Sequence, residues 1–67
     1  MKVNINRVNL IKEMAIKRIT NIELAEKACV SRAVISGMRN GKRCNENTVK
    51  HVANALGVDA SYLIEAN

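Results

Sequence analysis

Apolar residues in this 67-residue chain recur at spacings of three and four, broken at short intervals by residues that cap or stop helices. The row Ile5, Val8, Ile11 and Ala15, with Leu10 and Met14 beside it, predicts a first helix starting between Asn4 and Asn6 and reaching about Arg18. That stripe is wide, so the helix is expected to be buried over much of its circumference. Ahead of it Lys2, Val3, Asn4 and Ile5 alternate polar and apolar; an arm, a short strand and a loose chain all fit so short a stretch.

A second helix opens at Thr20 with a capping box, Thr20-x-x-Glu23, in which the hydroxyl accepts from the amide at position 23 and the glutamate reaches back. Ile19 and Leu24 flank the cap as a hydrophobic staple. Leu24, Ala25 and Ala28 make an inner face of mostly small residues, which lets a neighbouring helix approach closely. Ser31 caps a third helix whose inner row is Val34 or Ile35 with Met38, and Gly41 is placed to end it in a left-handed conformation. Asn45 caps a fourth helix with the apolar row Val49, Val52, Ala53 and Leu56, stopped by Gly57. Asp59 caps a short fifth containing Tyr62 and Leu63.

Length and composition then narrow the class. A chain this short forms one domain with one core, and folding buries only about 60% of the surface its unfolded form exposes. A single aromatic residue, Tyr62, makes that core aliphatic, while the absence of proline and the presence of only three glycines favour helices with short connections. The expectation is a single all-α domain over residues 1–67, a compact five-helix bundle with residues 1–5 as a possible arm. Cys29 and Cys44 belong to no C-x-x-C pair and His51 is the lone histidine, so no zinc spacing exists; a single disulfide is conceivable, but both cysteines are expected as reduced thiols, with Cys29 packed and inert. No metal, cofactor or small-molecule ligand is implied. No run of about 18 apolar residues is present and the N-terminus lacks a signal-like apolar block, so a soluble cytoplasmic protein is expected, with no membrane contact.

Charge changes the picture more than composition does. The net charge of +5 is the sum of two basic clusters and a neutral-to-acidic remainder. Residues 1–19 carry five basic groups and one acid, and residues 31–43 carry Arg32, Arg39, Lys42 and Arg43 with no acid, so each cluster sums to +4. Such clustering suits a polyanionic partner. Thr20 to Gly41 reads as two short helices joined by a tight turn, the second running into that acid-free basic segment. A small protein presents a helix to the major groove of DNA through this order of elements.

At Leu24, Ala25, Val30, Ser31, Ile35 and Gly41, and again in Val52-Ala53-Asn54-Ala55-Leu56-Gly57-Val58 with Tyr62-Leu63, the chain resembles the helix-turn-helix domain of the phage repressor and Cro type, the xenobiotic-response-element-like regulators. The resemblance covers about residues 8–64. It implies a lambda-repressor-like five-helix bundle whose second and third helices form the DNA-reading unit. It also implies that Arg32, Ala33, Ser36 and Gly37 face base edges and that Asn21 sits at the phosphate-contacting start of helix 2. By the same resemblance Asn40, Lys42 and Arg43 grip the backbone from the following loop. The amides at the start of helix 3, capped by Ser31, add to anion binding through the dipole, and Arg39 joins the phosphate contacts. If Ile35 and Met38 point inward, positions 32, 33, 36 and 37 do fall on the opposite side.

Three positions depart from the family pattern. Cys29 stands where the inter-helix turn usually has glycine. Gly37 replaces a longer reading side chain. Met14 and Arg39 stand where the family often pairs an arginine with an acid, which frees Arg39 for phosphate or for a bridge to Glu13 or Glu46. The leading expectation is therefore a sequence-specific binder of double-stranded DNA, a small repressor acting as a homodimer on a palindromic operator. Its dimer surface is placed at Val58, Tyr62 and Ile64, with Val3 and Ile5 as the rival. An antitoxin or other protein-binding module on the same fold, and an excisionase-like architectural DNA binder, are the alternatives. Catalysis is not expected: no nucleophile–base pair is present and no two carboxylates share a face.

Overall fold

Each helix begins on a side chain that accepts a hydrogen bond from its own first turn, which is why the chain breaks where it does. In the computed structural model, which describes residues 1–65, Asn6 caps α1 (Arg7–Ile16), Thr20 caps α2 (Asn21–Ala28) and Ser31 caps α3 (Arg32–Arg39). Asn45 caps α4 (Glu46–Leu56) and Asp59 caps α5 (Ala60–Leu63). The capping box at Thr20 is complete, with Glu23 N donating to Thr20 Oγ1 at 3.2 Å and Thr20 N donating to Glu23 Oε1 at 3.0 Å. The ends are set by left-handed residues: Cys29 at φ 58° closes α2, Gly57 at φ 73° closes α4, and Gly41 at φ 81° follows α3 by two residues.

One aliphatic core joins all five helices. Leu24, Ala25 and Ala28 of α2 are buried, and α2 packs against both α3 and α4, the small side chains permitting the close approach. Ile35 and Met38 come from α3, with Val34 only half-buried. Val49, Val52, Ala53 and Leu56 supply the α4 face, and Leu63 closes the core from α5.

The first helix departs from its sequence reading. Only Leu10 and Met14 of α1 are buried; Val8 is 68% exposed, Ile11 38% and Ile16 62%, and Ala15 is exposed as well. The reason is geometric. Each residue turns about 100° around the helix, so Val8 and Ala15 lie opposite Leu10 and Met14, and the neighbours of α1, which are α3 and α5, cover one side only. Ile5 is buried, but in extended chain ahead of the Asn6 cap, so the row that began at Ile5 does not continue around a helix. The helix also ends at Ile16, and Arg18 takes a positive φ of 52°.

Residues ahead of α1 are extended and paired twice. β1 (Lys2–Val3) runs antiparallel to β2 (Cys44–Asn45), with Lys2 opposite Asn45 and Val3 opposite Cys44. Farther along, Ile5 bridges Ile64, with Asn6 N donating to Leu63 O at 2.8 Å and Glu65 N to Asn4 O at 2.9 Å. The N-terminal segment is thus a strap joining the loop after α3 to the segment after α5. Of the three possibilities for residues 2–5 the short strand is the one found; its partner, Cys44–Asn45, was not expected.

Candidate nucleic-acid interface

The turn between α2 and α3 sets the direction of the exposed helix. Cys29 closes α2 with φ 58° and ψ 40°, its amide donating to Ala25 O and Glu26 O, and Val30 N returns to Ala25 O at 3.0 Å. Ser31 then caps α3, accepting from Val34 N at 3.3 Å. Its exposed side chain and the free amides of the first helical turn make a local positive end. With Ile35 and Met38 pinned in the core, Arg32, Ala33 and Ser36 stand exposed on the far side of α3, and Gly37 is half-buried beside them. All four residues assigned to base edges therefore share one face.

The flanking groups fall on both sides of that face. Arg39, in the last turn of α3, donates from Nη1 to Asn21 Oδ1 at 2.7 Å. It bridges neither Glu13, which pairs with Lys17 at 2.7 Å, nor Glu46, which lies 3.7 Å from Lys50. Asn21 and Arg39 are thus one linked unit at the start of α2. Beyond α3, Asn40, Lys42 and Arg43 are exposed in the loop, where Gly41 reverses the chain and Lys42 N returns to Gly37 O at 2.9 Å. The structure brings the ten residues expected to meet DNA together on α3, the loop after it and the start of α2.

Two further cations join them that were not singled out individually from the sequence. Arg7, at the start of α1, lines a shallow groove with Ile11, Asn21, Ser36, Arg39 and Asn40. Its Cδ lies 3.6 Å from where a Cβ on Gly41 would be. Lys2, carried on β1, lines a second groove with Lys42, Arg43 and Ala33, and its carbonyl accepts from Arg43 Nη2 at 3.5 Å. The signal for both was the basic excess of residues 1–19; only the strap and the packing of α1 against α3 show which of those five cations reach this side.

Three carboxylates serve the local structure. Glu23 is held below its ordinary range first by the Thr20 amide, Asp59 by the Ser61 amide, and Glu13 by the Lys17 ammonium, with the Tyr62 hydroxyl 3.4 Å from its other oxygen. Burial pushes the Cys44 thiol up, which disfavours the reactive thiolate. Cys29 is exposed, contrary to the packed thiol expected for it, because a left-handed turn residue points its side chain out of the helix pair. His51 is exposed on α4.

A family model of the Cro/C1-type helix-turn-helix DNA-binding domain matches residues 9–67. Searches of curated proteins and of solved structures returned no significant match. The matched span contains the four caps Thr20, Ser31, Asn45 and Asp59 and the whole α2–α3 unit. The chain belongs to the Cro/C1-type helix-turn-helix family, and sequence-specific DNA binding is the activity that goes with it.

Proposed function

We propose that the protein is a small transcriptional repressor that binds a palindromic operator as a homodimer. The observation that carries this reading is the α3 face. Arg32, Ala33, Ser36 and Gly37 lie together on it, flanked on one side by the Asn21–Arg39 pair and on the other by the Lys42–Arg43 loop. Arg32 reads guanine O6 and N7, Ala33 contacts a thymine methyl, and Ser36 donates or accepts without strong selectivity. Asn21, Ser31, Arg39, Asn40 and Arg43 contact phosphates, with Arg7 and Lys2 extending the cationic rim and the Lys42 stem resting on Gly37. Repression follows from occupancy: a bound dimer excludes polymerase.

The single reading helix supports the dimer. The domain carries a single α2–α3 unit, whereas successive major grooves on one side of the duplex lie roughly 34 Å apart. One copy therefore reads one half-site. Of the two rival surfaces the arm drops out, because Ile5 is buried in the core and Val3 is half-buried opposite Cys44; the half-buried Val58, Tyr62 and Ile64 at the C-terminal end remain the favoured two-fold contact.

Selection from random duplex DNA tests the reading, followed by ultracentrifugation on the selected site. The expected result is a palindrome with half-sites one turn apart and two chains bound. With four phosphate-neutralising cations, Arg7, Lys2, Arg39 and Arg43, log K should fall against log salt with a slope of about −4 per subunit. A lone bound monomer defeats the dimer, and a flat salt response defeats the DNA reading.

A further inference from the structure

The reading helix has a gap at Gly37, and a residue from outside the helix fills it. A Cβ built on Gly37 would stand 3.3 Å from Lys42 Cδ, 3.6 Å from its Cβ and 4.0 Å from its Cγ. The aliphatic stem of Lys42 thus lies along the surface of α3 where position 37 has no side chain of its own. Two backbone features hold it there. Lys42 N donates to Gly37 O at 2.9 Å, and Gly41, at φ 81°, turns the chain back over the end of the helix. Lys42, Gly37 and Ala33 line one shallow groove of about 250 Å³ with Lys2 and Arg43. Ala33 and Gly37 are successive turns of the same exposed face, so the Lys42 stem borders the residues that meet base edges, and its ammonium is carried two bonds past Cδ.

We propose that Lys42 is a specificity-determining side chain of the DNA interface, delivered to a base edge across Gly37, rather than a contact to phosphate alone. It rests on the DNA-reading role assigned to α3 above. A lysine ammonium donates to guanine O6 and N7 in the major groove, so the chemistry read is a guanine at the base pair next to the one facing Ala33. Gly37 is the positioning residue. An alanine there adds a methyl 3.3 Å from Lys42 Cδ, tighter than ordinary van der Waals contact, so the stem must shift by a few tenths of an ångström off its seat. Arg43, whose guanidinium is bonded to the Lys2 carbonyl on the strap, serves as the phosphate-contacting control.

Binding-site selection with the wild type, Lys42→Ala, Gly37→Ala and Arg43→Ala decides it. Lys42→Ala should lower the preference for guanine at one base pair of each half-site about tenfold while leaving the preference due to Arg32 intact. Gly37→Ala should weaken the preference at that same base pair, and adding Lys42→Ala to it should cost little more. Lys42→Arg, which keeps donors on a long stem, should retain the guanine. Arg43→Ala should weaken binding to all sequences alike. Thermal melts verify folding: Gly37→Ala should melt no lower than wild type, because alanine is the better helix former. If Lys42→Ala weakens every sequence equally and leaves the selected site unchanged, Lys42 touches phosphate only and the proposal is wrong. If Gly37→Ala leaves the selected site unchanged, the seat on the helix is wrong. Failure of the wild type to select any site would instead overturn the DNA-reading role itself.

Discussion

Arg39 and Asn21 are bonded to each other, Nη1 to Oδ1 at 2.7 Å, across the space between the end of α3 and the start of α2. Each taken alone is an ordinary surface residue. Together they form a brace that ties the reading helix to the helix that precedes it, at a point flanked by Arg7 and Asn40. The pair occupies an exposed site, so its contribution to folding is small and its consequence is the fixed position of a guanidinium.

That linkage makes the two substitutions non-additive. Arg39→Ala should weaken DNA binding and lower the salt slope by about 1, and Asn21→Ala should do part of the same by releasing Arg39 from its orientation. The double variant should bind nearly as Arg39→Ala does. Filter or fluorescence titrations at several salt concentrations measure this, and strictly additive losses would show that the two side chains act independently.

Arg32 is the strongest hydrogen-bonding group on the exposed face of α3 that is proposed to meet base edges. Arg32→Ala should relax preference at one base pair by about 1–3 kcal/mol while leaving affinity for unrelated DNA little changed. Competition binding with operators altered one position at a time reads this out. A uniform loss across all operators would move Arg32 to the phosphate backbone.

Cys29 holds a left-handed conformation that glycine adopts without steric cost. Its side chain is exposed and forms no bond that its removal would break. Cys29→Gly should therefore stabilise the domain by about 1 kcal/mol, raising Tm by about 4–8 °C for a chain of this size. Calorimetry under reducing conditions measures the change, and a lower Tm would mean that the thiol contributes packing that its exposure does not suggest.

Acid should destabilise the protein through its caps. Glu23 and Asp59 accept backbone amides in the folded state, and their carboxyls are held below their ordinary values. A depressed folded value means that ionisation favours folding above the unfolded value, and that this contribution is lost as pH falls through the folded one. Tm should therefore hold steady near neutrality and fall below about pH 4.5, the ordinary glutamate value. Glu23→Gln, which keeps an acceptor without the charge, should make the fall shallower. An unchanged acid limb would remove Glu23 from the account.

The two faces of α1 can be separated by substitution. Leu10 is fully buried, and Leu10→Ala should cost about 2–5 kcal/mol, whereas Val8→Ser on the opposite side should stay within about 0.5 kcal/mol. Urea denaturation measures both. A large loss at Val8 would show that its exposed surface is covered in solution by another chain.

Caps, stops and most inner rows were legible in the sequence because they depend on neighbours three or four residues away. Thr20 with Glu23, Ser31, Asn45 and Asp59 bond within their own first turn, and Ile35 with Met38 or Val52 with Leu56 repeat at helical spacing. The same locality placed Arg32, Ala33 and Ser36 on one exposed face. What depended on distant chain was not legible. Periodicity could not tell which side of α1 would be covered, since that is set by where α3 and α5 pack, and so Val8 and Ile11 were read as inner residues. Nor could it pair Lys2 with Asn45, Ile5 with Ile64 or Arg39 with Asn21, because each contact joins residues at least 18 positions apart. By itself the sequence determined the five helices, the caps of all but the first, and the residues that share the exposed face of α3. Tertiary structure alone decided which cations gather beside that face, because side chains far apart in the chain become neighbours only when a shared core is closed.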